Sequence, residues 1–73
     1  MTYREEFVKK FGELFASDGA REHYESHGVE KMELDETTDI VTITFRDGTQ
    51  TRVYVAMDSL SAMAYDIIRN GLW

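Results

Sequence analysis

Cysteine is absent from the 73 residues, which excludes disulfides and cysteine-ligated zinc and leaves packing, helix capping and self-association to hold a fold. A chain this short buries only about 60% of the surface its unfolded form exposes, so a narrow stability margin is expected. No apolar run approaches the roughly 18 residues of a membrane span. Met1 leads into a charged helical stretch rather than the apolar core of a signal peptide. The expectation is therefore a cytoplasmic protein, one domain over residues 1–73, without membrane contact.

Positive charge is scarce as well. Eight Lys and Arg stand against 14 Asp and Glu, a net charge of −6, and the imbalance is local. Residues 1–17 and 40–73 are each neutral, whereas Asp18, Glu22, Glu25, Glu30, Glu33, Asp35, Glu36 and Asp39 face only Arg21 and Lys31. Direct nucleic-acid binding is disfavoured, because affinity for phosphates comes mainly from Lys and Arg. A basic protein partner is permitted, and a solvated acidic face is the plainer reading.

What the chain does have is one strong hairpin signal, from Ile40 to Met57. Val41, Ile43 and Phe45 alternate with polar residues on the way in, and Val53, Val55 and Met57 on the way back, around Asp47-Gly48. A two-residue turn would set Phe45 opposite Gln50 and Ile43 opposite Arg52, mixing apolar and polar residues on one face. A three-residue loop, Arg46-Asp47-Gly48 with Gly48 left-handed, pairs Phe45 with Thr49, Ile43 with Thr51 and Val41 with Val53. Only this register keeps one face apolar, and a slip by one residue would turn a strand's apolar set into water.

Thr2 and Glu5 have the spacing of a capping box, so a helix is predicted from Tyr3. Its apolar residues Tyr3, Phe7, Val8, Phe11, Leu14 and Phe15 form a stripe expected to pack on the hairpin, with Glu5/Lys9 and Glu6/Lys10 as favourable pairs elsewhere. Ser17 or Asp18 would cap a short second helix over about 20–26, ended by Gly28. Val29–Leu34 alternates over Met32 and Leu34 and reads as a first strand, with Asp35–Asp39 as the turn into the hairpin. Asp58 or Ser59 would cap a last helix carrying Leu60, Met63, Ala64, Ile67 and Ile68, with Asn70-Gly71 as a left-handed stop and Leu72 folded back. Trp73 either seals the core edge or anchors a partner.

The fold class that follows is α+β: a two-layer sandwich in which a three-stranded antiparallel meander carries the N- and C-terminal helices on one face. The order is helix, short helix, three strands, helix. The other face would present Glu33, Thr42, Thr44, Arg46, Arg52 and Tyr54, a composition suited to recognition. Its outer strand offers an edge for pairing, so a homodimer is plausible for so short a chain.

Candidate chemistry is thin. His23 and His27 lie four apart and would share a helix face within reach of one metal ion, but the HYESH segment lacks the glutamate that a zinc-protease helix places after its first histidine, and no third ligand is evident. Asp35–Asp39 gathers three carboxylates without the glycine and closing glutamate of an EF-hand loop. Ser17, Ser26, Ser59 and Ser61 read as caps or helix surface. No catalytic residue, cofactor or metal is therefore assigned.

The leading expectation is a non-enzymatic protein-interaction module that binds through residues 18–39 or the polar sheet face. The candidate partner-binding residues are Glu30, Glu33, Asp35, Glu36, Asp39, Arg52, Tyr54 and Trp73. A structural homo-oligomer is the alternative.

An acidic chain under 90 residues, with a helix, three strands joined through Asp47-Gly48 and a closing helix ending Asn70-Gly71-Leu72-Trp73, resembles small phage and prophage proteins, including some anti-CRISPR inhibitors. Certain of those inhibitors imitate DNA with clustered carboxylates. The resemblance implies that part for Glu30, Glu33, Asp35, Glu36 and Asp39, although the neutral ends and modest net charge depart from the pattern.

Overall fold

In the computed structural model, which describes residues 2–16, 28–55 and 59–72, the chain runs helix, three strands, helix. Helix α1 spans Tyr3–Ala16, strands β1, β2 and β3 span Val29–Asp35, Ile40–Phe45 and Gln50–Tyr54, and helix α2 spans Leu60–Asp66 and continues as a π-helical segment, Ile67–Leu72. The strands form one antiparallel sheet in the order β1-β2-β3. The expected short helix over 20–26, its histidines, Met57, Asp58 and Trp73 lie outside the described residues.

The capping box forms: Glu5 N–H donates to Thr2 Oγ1 at 3.2 Å and Thr2 N–H to Glu5 Oε1 at 3.0 Å. The second of these bonds engages the Glu5 carboxylate and draws its pKa below the ordinary 4.5. Of the two expected i,i+4 pairs, Glu6–Lys10 closes at 3.1 Å.

The hairpin takes the three-residue loop. Phe45 N–H donates to Thr49 O at 2.9 Å, Gly48 is left-handed at φ +91°, and Val41 faces Val53 while Ile43 faces Thr51. Asp47 Oδ1 accepts from the Thr49 N–H and hydroxyl, at 2.9 and 2.6 Å, which fixes the loop. Strand β1 is one residue longer than expected and bulges at Glu30, where Val29 pairs with Phe45 but Lys31 pairs with Thr44.

Met32 stands opposite Ile43, Leu34 opposite Val41, and Val41 opposite Val53, so the buried residues of all three strands share a face. With Val8, Val29, Val55, Met63, Ile67 and Leu72 they make the core. Each such side chain, once fully buried, contributes about 1.5–3 kcal/mol.

Three expectations about the helices are corrected. First, α1 lies along β1 rather than on the β2–β3 hairpin, because Gly12, lacking a side chain, lets the helix come against the Met32 main chain. Second, the apolar stripe is narrower than its sequence pattern. Val8 is fully buried and Phe7, Phe11 and Phe15 pack at the core's margin, while Tyr3 and Leu14 are exposed. On α2 the same holds for Ile68, which faces outward beside buried Ile67. Third, Asn70-Gly71 is no left-handed stop: the helix widens into a π turn and continues. The i→i+5 bonding of a π-helix brings residues five apart nearer to one face than an α-helix does, and both Ile67 and Leu72 are buried. Gly71 meets the Ile43 and Val53 side chains there, leaving no room for a Cβ. Ser59, one of the two expected caps, accepts from Ala62 N–H at 3.3 Å.

Candidate protein interface

Among the described acids, those of the β1–β2 turn are engaged by the fold itself. The turn between β1 and β2 is held by Asp35, whose Oδ1 accepts from Thr37 N–H at 2.9 Å and whose carbonyl accepts from Thr38 N–H at 3.3 Å. Asp39 adopts the left-handed conformation at φ 56°, which Asp tolerates better than most residues. Its carbonyl then accepts from Val55 N–H at 2.9 Å, extending the β2–β3 pairing.

Arg4, in the first turn of α1, reaches this turn. Its Nη1 lies 3.6 Å from Asp39 Oδ1 and 3.9 Å from Glu36 Oε1, and Nη2 donates to Val55 O at 3.5 Å. Thr2 Oγ1 donates to the same Glu36 oxygen at 2.6 Å. Glu36 and Asp39 thus anchor the start of α1 to the end of the sheet. Nothing in the local pattern around Glu36 and Asp39 pointed to Arg4. The one available signal was the position of Arg4 itself, a cation in a helix's first turn where the dipole disfavours it.

The sheet's other face is different. The register sets three cross-strand rows there: Lys31, Thr44 and Gln50; Glu33, Thr42 and Arg52; Asp35, Ile40 and Tyr54. Lys31 Nζ pairs with Glu33 at 3.1 Å along β1, and Gln50 Nε2 donates to Thr44 Oγ1 at 3.3 Å across the strands. Arg52 is exposed and Tyr54 is 70% exposed, high for a large aromatic residue at a strand end. Arg46, expected on this face, instead turns to the end of α1, where Nη2 donates to Ala16 O at 3.1 Å; the carbonyl-rich helix end attracts it.

Among the predicted binding residues, the fold therefore gathers Glu33, Asp35, Arg52 and Tyr54 on one face and places Glu36 and Asp39 at the Arg4 anchor. Glu30 is set apart at the bulge of β1. Among the described residues no three His, Asp or Glu side chains cluster to hold a metal ion, and no helix is long and apolar enough to cross a membrane.

No family model, no curated protein and no solved structure matches this chain.

Proposed function

We propose that this chain is a non-enzymatic cytoplasmic module that binds another protein through the polar face of its sheet. The observation that carries this reading is the Glu33-Thr42-Arg52 row beside exposed Tyr54. Arg and Tyr are the residue types most enriched where interfaces concentrate their energy, and their strand positions hold them with little loss of backbone freedom on binding. The acidic segment is the weaker candidate, since Glu36 and Asp39 already hold Arg4.

The test is a double variant, Arg52→Glu with Tyr54→Ala, compared with wild type in cross-linking from a photoreactive residue at position 50. Loss of the cross-linked partner with an unchanged melting temperature supports the reading. An unchanged cross-linking pattern overturns it.

A second reading, the homodimer, is favoured by the charge layout of the same face. Glu33 and Asp35 lie on one edge strand and Arg52 on the other, so a second copy turned about a two-fold axis presents opposite charges to each. Light scattering across a concentration series separates the readings, because a monomer throughout removes the second.

A further inference from the structure

We propose that two copies of this chain stack polar face on polar face, with the two-fold axis of the pair running along the central strand β2. The inference rests on the second reading above, that this face meets a second copy, and gives each row of the face its partner.

The two outer columns of the face differ in chemistry. Lys31, Glu33 and Asp35 stand on β1, and Gln50, Arg52 and Tyr54 on β3. These outer residues are exposed, whereas Thr44, Thr42 and Ile40 between them on β2 are half-buried. The face is therefore low along its midline and rises at both sides. Among the described residues, the side chains of Arg52 and Tyr54 have no hydrogen-bond or ion-pair partner. The closest helix contacts fall on the opposite side of the sheet, where Gly12 meets Met32 and Gly71 meets Ile43 and Val53.

Symmetry determines which residues meet. Stacked sheets keep their strand directions within about 30° of each other or cross near 90°, which leaves three settings for a two-fold axis lying between the faces. An axis along β2 exchanges the outer columns row by row. Glu33 then meets Arg52 of the second copy, Asp35 meets its Tyr54 hydroxyl, and Lys31 meets its Gln50 side-chain carbonyl. Each of these contacts is made twice, and Thr42 meets Thr42 on the axis.

The other two settings fail on charge. An axis across the strands lays each column over itself, which brings Lys31 to Asp35 but opposes Arg52 to Arg52 and Glu33 to Glu33. A near-perpendicular crossing carries Glu33 and Arg52 over Ile40 and Thr44, which hold no charge. Only the axis along β2 supplies both Arg52 and Tyr54 with an acceptor.

Side-chain length agrees with this setting. Stacked sheets lie about 10 Å apart, and each exchanged row sets a long side chain (Arg52, Tyr54 or Lys31) against a shorter one (Glu33, Asp35 or Gln50). The face offers nine residues, fewer than the roughly 20–30 a side of a standard interface, so the dimer dissociates on dilution.

The test uses two single charge reversals of the full-length chain, Glu33→Arg and Arg52→Glu, followed by sedimentation equilibrium up to about 1 mM. Wild type should dimerise. Each variant alone should self-associate at least about tenfold more weakly at unchanged melting temperature, because it sets like charges together in both copies of the Glu33–Arg52 contact. An equimolar mixture of the two variants should restore dimers, since every reversed residue then faces its opposite. A wild type that stays monomeric at every concentration removes the second reading and the axis together. A wild-type dimer that persists in both single variants, or that does not return in the mixture, overturns the axis and leaves the second reading standing.

Discussion

A Cβ on Gly12 would fall 2.6 Å from the Met32 main-chain nitrogen and 2.9 Å from the Met32 Cβ. This contact seats α1 on β1. Gly12→Ala should therefore destabilise by about 1–3 kcal/mol, the usual cost of overpacking, although alanine raises intrinsic helix propensity by about 1 kcal/mol. Urea unfolding at constant m-value measures it. A midpoint raised by the substitution would show that α1 is not seated there.

The Arg4 anchor should couple to Asp39. The pair is one-quarter to one-third exposed, so solvent screening limits its worth to less than about 1 kcal/mol. A double-mutant cycle of Arg4→Met and Asp39→Asn should return a positive coupling that shrinks in high salt. Zero coupling at low salt would remove the anchor from the account.

The C-terminal close approach invites a compensation test. Gly71→Ala drives a methyl group toward Ile43 Cδ1, with Val53 Cγ2 at 3.0 Å behind it. Ile43→Val removes that Cδ1 and by itself costs about 0.5–1.5 kcal/mol. The double variant should be more stable than the two single losses added together. Simple additivity would mean that the helix end relaxes away from the sheet.

Acid should weaken the hairpin loop. The Thr49 hydroxyl and N–H both donate to Asp47 and hold its carboxyl below the ordinary 3.8. Because the folded value is the lower one, the stabilisation is present above the ordinary value and is lost as pH falls through the folded value. Thr49→Val should raise the Asp47 pKa. The melting-temperature gap between wild type and variant should be open at neutral pH and narrow on acidification. A gap independent of pH would contradict this assignment.

The hairpin register was legible because it is a local matter. Loop length and alternation over Val41 to Val53 leave one arrangement with an apolar face. The same reasoning found the capping box and the Ser59 cap, whose partners lie three residues away. It failed at Gly71, where a sequence typical of a helix stop is overruled by contact with Ile43 and Val53. It could not see Arg4 meet Glu36, more than thirty positions along the chain.

By itself, then, the sequence determined helix α1, the three strands, the start of α2, the β2–β3 register and the sign of the charge, since each follows from residues within a few positions of one another. Only the tertiary structure decided which of the described acids are engaged by the fold, which strand α1 packs against, and how α2 ends. Those outcomes depend on distances between surfaces that approach one another only when the core packs.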